Sequence, residues 1–397
     1  MNKTCPICHS NTPILLDQRS RAPLLQNRVW PDRASARAAP AGELDFTLCA
    51  ACGFAWNRAF DPDQIIYDQA YNNDQTGSPR FRAHVAEMVE RILTRIPSDG
   101  AAHLVEVGCG QGALLTELAR RRSFASLTGF DPAWRGKGGM ELDGITIHRR
   151  YFGPNALDLV PHGPLFVVSR HTIEHVSDPL SFLRAIRATM QPSDDGRLFL
   201  ETPDIEWIVE KFQPHDLFYE HCSIFSRDAL RVALAAAGFE VLSIDRVFDE
   251  QYLMAEARPT KDELRIVGHC EFTATAESFS RQRHRFVQIW SDRIARITEG
   301  GTAWLWGAAS KGVTFALLID PDGAKLAGAI DINREKCGHF MPSTGLPIVS
   351  PSVLQDGDTV IIMNPNYLAE IASQIGAMGI AAQLMPVDSI GCSELPA

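Results

Sequence analysis

The most constraining feature of the chain is one short stretch, Leu104-Val105-Glu106-Val107-Gly108-Cys109-Gly110-Gln111-Gly112. An apolar strand runs into three alternate glycines, and a helical pattern opens at Ala113. Glycines at this spacing let the chain turn sharply and leave bare backbone against which a ligand can lie. A second apolar run, Leu127-Thr128-Gly129-Phe130, ends in Asp131. It places a carboxylate roughly 20 residues past the turn, where ribose hydroxyls are held in nucleoside-binding α/β folds. Around these two runs the pattern repeats. Leu104–Val107, Leu127–Phe130, Ile145–His148, Leu165–Ser169 and Arg197–Glu201 read as strands, with helical stretches such as 112–121 and 179–190 between them. That alternation predicts an α/β fold, a parallel sheet with helices on both faces.

Two details of the turn favour S-adenosylmethionine (SAM) over a dinucleotide as its ligand. Glu106 stands two positions before Gly108, in reach of an ammonium group. The spacing Gly108-x-Gly110-x-Gly112 also differs from the G-x-G-x-x-G that seats a pyrophosphate on a helix N-terminus. Asp131 suits the ribose of either ligand. Tyr151 and Phe152 follow the third strand, where they either cover an adenine or join the core.

The rest of the chain divides into four further blocks. Residues 1–60 show little periodicity and contain Cys5-Pro-Ile-Cys8 and Cys49-Ala-Ala-Cys52. Two such pairs supply four sulfurs for one tetrahedral Zn²⁺, closed to substrate and therefore structural. Residues 61–100 bridge to the SAM-binding domain at 101–245 and contain a helix over 81–96. Residues 246–300 read as a mainly helical linker. Residues 301–397 begin a second, smaller alternation, a C-terminal Rossmann-like α/β domain. In it, Gly307-Ala308-Ala309-Ser310-Lys311-Gly312 forms a strand-to-helix turn, where Lys311 either holds a phosphate or only marks the connection.

Polar residues cluster where later strands end. His171 and His175 follow the fourth strand, the place where open α/β sheets collect ligands. Asp178-Pro179 reads as a helix cap and first turn. Further on, Tyr219-Glu220-His221 precedes a helix start at Ser226. A histidine beside a glutamate can be oriented and tuned as a general base near pH 7. Cys109, Cys222, Cys270, Cys337 and Cys392 fall in no interpretable motif.

Of the 397 residues, 45% are hydrophobic and 22% charged, and the net charge is −10. The acidic balance speaks against a nucleic-acid partner. The apolar runs are too short for a membrane span, no signal-like segment opens the chain, and a reducing, cytoplasmic location follows as the default.

Taken in order, the four-cysteine module, Glu106-x-Gly108-x-Gly110-x-Gly112, Glu220-His221, Gly307-Ala308-x-x-Lys311-Gly312 and Asp331-x-Asn333-x-x-Lys336-x-Gly338 span nearly the whole chain. This order resembles the nucleotide-sugar C-methyltransferases of antibiotic deoxysugar biosynthesis. The resemblance implies a class I SAM methyltransferase fold and a nucleotide-linked 4-keto sugar as small-molecule substrate. It also implies His221 as the base that forms an enolate, Glu220 as its neighbour, His175 as a second imidazole and Tyr71 as a substrate contact. Tyr219 or His175 would donate to the enolate oxygen. Two departures fall in the substrate region. The family's tyrosine in Tyr-x-Glu-His is Phe218 here, and Gln251-Tyr252-Leu253-Met254 replaces a Gly-Gly-Ser segment. Methylation at oxygen or nitrogen of another metabolite is the alternative. An NAD(P)-dependent oxidoreductase using the 307–312 turn, and a non-catalytic zinc interaction protein, are the competing classes.

Overall fold

The helices start where the sequence provides caps. Ser78, Asp178, Asp204 and Ser226 each accept a backbone N–H of the first helical turn through their side chains, and Pro79 and Pro179 stand at first-turn positions. The computed structural model describes residues 4–136, 140–142, 144–161, 165–190, 195–262 and 264–387; Cys392 lies outside them. Its helices are α1 (Arg33–Arg37), α2 (Pro79–Leu93), α3 (Ala113–Arg121), α4 (Pro179–Thr189), α5 (Ile205–Glu210), α6 (Arg227–Ala236), α7 (Thr273–Thr298), α8 (Ser310–Ile319) and α9 (Leu368–Ala377). Its strands begin with β1 (Pro13–Pro23), β2 (Ala41–Cys49), β3 (Ala55–Asn57), β4 (His103–Val107), β5 (Ser126–Phe130), β6 (Met140–Leu142), β7 (Ile145–His148), β8 (Leu165–Arg170) and β9 (Arg197–Pro203). They continue with β10 (Ser223–Ile224), β11 (Phe239–Val247), β12 (Tyr252–Pro259), β13 (Ala303–Trp306), β14 (Gly328–Ile330), β15 (Ile348–Val349), β16 (Thr359–Ile362) and β17 (Gln383–Pro386).

The central sheet has the order β11-β12-β9-β8-β4-β5-β7-β6. Strands β7, β5, β4, β8 and β9 run parallel, and β12 enters antiparallel beside β9. Successive residues of a strand face opposite sides. Leu165 and Val167 join one apolar cluster with α4 and α6, while Phe166 and Val168 join another with α2 and α3. The strand order reverses direction at β4, and open α/β sheets bind ligands at such a switch point.

Two expectations about the elements change. Residues 246–300 are not simply a helical linker: β11 and β12 complete the central sheet as far as Pro259, and only then does the chain enter α7. The polar residues Glu256 and Arg258 on β12 obscure its strand character in the sequence; they are partnered by Arg95 and Glu240. The first block, where little periodicity was expected, forms the sheet β1-β2-β3-β10. Its fourth strand comes from the central domain, directly after His221. Helix α7 buries Phe279, Phe286, Trp290 and Ile294 in an apolar cluster that also takes in Leu44 and Phe46 of the N-terminal sheet and Leu305 and Phe315 of the C-terminal domain. The C-terminal sheet, β15-β14-β13-β16-β17, is parallel throughout. No helix of the described residues is long and apolar enough to cross a membrane.

Candidate active site

A cavity of about 760 Å³ opens at the carboxyl ends of β4, β5 and β8. The glycine turn forms its floor. Gly108 has φ +77°, and a Cβ there would lie 1.9 Å from Thr172 Oγ1, so no other residue fits without movement. Gly110 has φ +53° and nothing within 4 Å of where its Cβ would be, which leaves its backbone open to the cavity. Asp131 is held beside the turn, accepting the Gly110 N–H at 2.8 Å and the Ala133 N–H at 2.7 Å. Glu106 lines the cavity and is 3% exposed, and its Oε2 is buried with no hydrogen-bond partner in the structure. Burial, with a smaller contribution from Asp131, pushes its carboxyl up to about 8. Such a carboxylate calls for a cation, and an amino-acid ammonium group supplies one. The cradle therefore fits SAM, with Gly108 and Gly110 under it and Glu106 and Asp131 beside it, while Gly112 lies outside the lining and faces Ile147. Phe152 packs against Phe130 at 5.2 Å, while Tyr151 stands 60% exposed at the cavity's edge.

His171 also lines the cavity, at φ +46°. Its Nε2 is 2.9 Å from Glu201 Oε1 and its Nδ1 is 3.3 Å from Glu174 Oε1. Burial alone would lower its pKa, but the two buried carboxylates raise it to about 9, so the ring is an imidazolium at neutral pH. Glu201 gathers Arg170 at 3.0 Å and His84 at 2.7 Å as well. Burial alone would raise its pKa, but the charge of Arg170 and the hydrogen bonds with His171 and His84 hold it well below the usual carboxylate range.

A second group faces the same space. His175 lines the cavity, and Tyr67 Oη lies 2.7 Å from its Nδ1. Glu220 is fully buried and accepts the Gln26 N–H at 2.9 Å and the Tyr71 hydroxyl at 2.7 Å, with Tyr67 Oη 3.4 Å away. Burial pushes the Glu220 carboxyl up, against His175 and its donors. His221 sits edge-on to His175, with ring centroids 4.7 Å apart, and packs on Phe218 at 4.0 Å. It is not among the residues lining the cavity. Burial first, then the neighbouring His175, His171 and Lys311, hold its pKa well below the ordinary histidine value, so it is neutral at pH 7. Donor atoms of Glu174, His175 and His221 lie within 4.8 Å of one another.

Two expected site residues have other partners. Tyr219 Oη accepts the Asp61 N–H at 3.0 Å and its ring packs on Phe60, so it is not positioned as an oxyanion donor. Tyr219→Phe is expected to cost about 1 kcal/mol of stability, the worth of one hydrogen bond, and to leave methyl-transfer turnover at the wild-type rate. Thermal melts beside a turnover assay check this. Lys311 does not await a phosphate: its Nζ lies 2.8 Å from Asp216 Oδ2 and over the Trp207 ring. Asp178 caps α4 through Ser181, the role its Asp-Pro context suggests. Sequence reasoning missed Tyr67, Glu174, Glu201 and His84. The spacing Tyr67-x-x-x-Tyr71 and the run His171-Thr172-Ile173-Glu174-His175 were the available signals for the first two.

At the other end of the N-terminal sheet, Cys5, Cys8, Cys49 and Cys52 converge with all four Sγ atoms within 4.8 Å of one another. Cys5 and Cys52 are 3.8 Å apart and Cys8 and Cys49 3.5 Å. Four thiolates at ~2.3 Å from one ion stand ~3.8 Å from each other in a tetrahedron, so the donors fit a metal. After each pair the chain takes a left-handed residue, His9 at φ +60° and Gly53 at φ +75°, whose N–H bonds back to the first cysteine's carbonyl. His9 is exposed and outside the cluster.

Residues 80–244 match the methyltransferase domain family and residues 252–382 match the C-methyltransferase C-terminal domain family. A ubiquinone biosynthesis O-methyltransferase of Cereibacter sphaeroides is 34% identical over 113 residues, covering 27% of this chain and 44% of the relative. The same enzyme from another strain is 32% identical over 111 residues, with the same coverage. The chain thus spans less than half the length of these curated relatives. Among solved structures, an N,N-8-amino-8-demethyl-D-riboflavin dimethyltransferase from Streptomyces davawensis covers 45% of this chain and 57% of its own, at 20% identity and a TM-score of 0.36. A mitomycin 7-O-methyltransferase covers 45% and 54%, at 17% identity and a TM-score of 0.34. The C-terminal match begins at Tyr252, on the strand that completes the central sheet, so the family division falls inside one folded layer. The chain carries a methyltransferase domain of the class I SAM-dependent fold, followed by a C-methyltransferase C-terminal domain.

Proposed function

We propose that the protein is a SAM-dependent methyltransferase that methylates a carbon next to a carbonyl group. Its acceptor is a small molecule of the nucleotide-linked keto-deoxysugar class. The observation that carries the reading is a cavity that combines the open Gly110 backbone and the unpartnered Glu106 side chain with the imidazoles of His171 and His175. Bound at 108–112, SAM supplies an electrophilic methyl group. The chain's own task is to position the acceptor, exclude water and remove one proton. His221, edge-on to the His175 ring that lines the cavity, is the base, its pKa held down by burial and then by His175, His171 and Lys311. Glu220 is braced by Tyr71 and the Gln26 amide, and anchors the loop that carries His221. The four cysteines hold a structural zinc ion.

His221→Ala is expected to reduce methyl transfer by about 100-fold or more, while S-adenosylhomocysteine still binds by calorimetry. Turnover near the wild-type rate would remove His221 from the role. Methylation at oxygen is the second reading, favoured by the named activity of the Cereibacter relatives. The chemical shift of the transferred methyl carbon in the product separates the two.

A further inference from the structure

We propose that Tyr67 fixes the tautomer of His175, so that His175 presents its Nε2–H to the cavity as hydrogen-bond donor to the substrate oxygen that gains negative charge. The proposal rests on the methyl-transfer reading above and adds a positioning residue, Tyr67, to it.

The argument is a count of protons and acceptors. Tyr67 Oη has one hydrogen to give and two candidate acceptors, His175 Nδ1 at 2.7 Å and Glu220 Oε2 at 3.4 Å. The first distance is that of a well-formed hydrogen bond and the second is long. Glu220 is also supplied already, since its Oε2 takes the Tyr71 hydroxyl at 2.7 Å and its Oε1 takes the Gln26 N–H at 2.9 Å. The Tyr67 proton therefore goes to His175 Nδ1. The ring itself stands 3.8 Å from Glu220, too far for a direct bond that would reverse the tautomer. The phenol is held in place from both sides, edge-on to Tyr71 at 4.9 Å and to His175 at 5.5 Å.

A neutral imidazole that accepts at Nδ1 carries its hydrogen on Nε2. His175 lines the cavity, and Nε2 is the ring nitrogen left for a bound molecule. A neutral imidazole can stabilise a developing oxyanion by donating a hydrogen bond that strengthens as charge builds, with no proton transferred. Positions 218 and 219 do not fill this role. Tyr219 is turned onto Asp61, and Phe218 has no hydroxyl. The two perpendicular imidazoles then divide the work, His221 accepting a proton and His175 donating a hydrogen bond.

The test is the ¹⁵N spectrum of the full chain, labelled at histidine and saturated with S-adenosylhomocysteine. The His175 signals are identified by their loss in His175→Gln. In wild type, long-range ¹H–¹⁵N correlations should show an unprotonated Nδ1 and a protonated Nε2 through neutral pH. Tyr67→Phe should lose this single-tautomer pattern, and Tyr71→Phe, which removes a donor to Glu220 and an acceptor for Asn27 but no bond to His175, should keep it. A protonated Nδ1 in the wild type overturns the proposal even where Tyr67→Phe fails to fold. An unchanged tautomer in folded Tyr67→Phe overturns it as well. Failure of wild-type protein to bind S-adenosylhomocysteine in calorimetry would instead sink the methyltransferase reading, a result the tautomer does not affect.

Discussion

Glu201→Ala is expected to destabilise the protein by about 3–5 kcal/mol, the usual cost of leaving buried charge without its partner. Glu201 is fully buried at the carboxyl end of β9 and pairs with Arg170, His171 and His84 at once. Its removal strands these groups in a site without water access from the core side. The pH dependence gives a second signature. The folded pKa of His171 is raised to about 9, above its unfolded value of roughly 6.5. Its contribution to stability is therefore complete below about pH 6.5 and is lost as the pH rises through about 9. Glu201 itself, with a depressed folded pKa, contributes above the unfolded carboxylate value and loses that contribution in acid. Urea melts of wild type between pH 6 and 10 should show the alkaline decline, and the variant should show less of it. A loss below about 1 kcal/mol would mean that the network is not load-sharing as its distances indicate.

Cys52→Ser is expected to abolish stoichiometric zinc and to unfold the N-terminal sheet at temperatures where the rest of the chain stays folded. Zinc binding provides about 10–16 kcal/mol of apparent folding free energy in isolated four-ligand peptides, and three remaining ligands retain little of it. Here the loss is shared with real packing. Cys5, Ile7, Cys49, Cys52 and Phe54 belong to one apolar cluster with Phe225, Leu230 and Val232. The carbonyl of Cys52 also accepts the Ser226 hydroxyl that caps α6. Elemental analysis gives the metal content, and circular dichroism against temperature gives the early transition. A variant that melts in one step at the wild-type temperature, with its zinc gone, would show the cysteines to be dispensable.

Much of the fold is legible in the chain because the parallel strands of the central sheet contain short apolar runs, and β4 is closed by glycine. The turn at 108–112 and the carboxylate at 131 could be located from spacing alone. The antiparallel end of the central sheet could not, since Glu256 and Arg258 interrupt the apolar pattern and their partners lie far away in sequence. Within the site, the motif residues His171, His175, Glu220 and His221 do come together. Their orientation was hidden, because it is set by partners from distant segments. Tyr67 and Gln26 precede Glu220 by more than a hundred residues, yet both reach its carboxylate. Tyr219 and Lys311 illustrate the same limit: each has the right chemistry, but Asp61 and Asp216 claim them.

Strand β10 is shared property. Two residues after His221, the chain leaves the methyltransferase layer to become the last rung of the cysteine-bearing sheet, paired with Ala55 and Trp56. The four-cysteine knot and the loop that carries His221 thus sit on one continuous ladder of backbone hydrogen bonds. A shortened enzyme beginning near residue 61 would retain its nucleoside cradle but lose the brace behind its histidine. Grafting this acceptor chemistry onto another scaffold would require transplanting both pieces together.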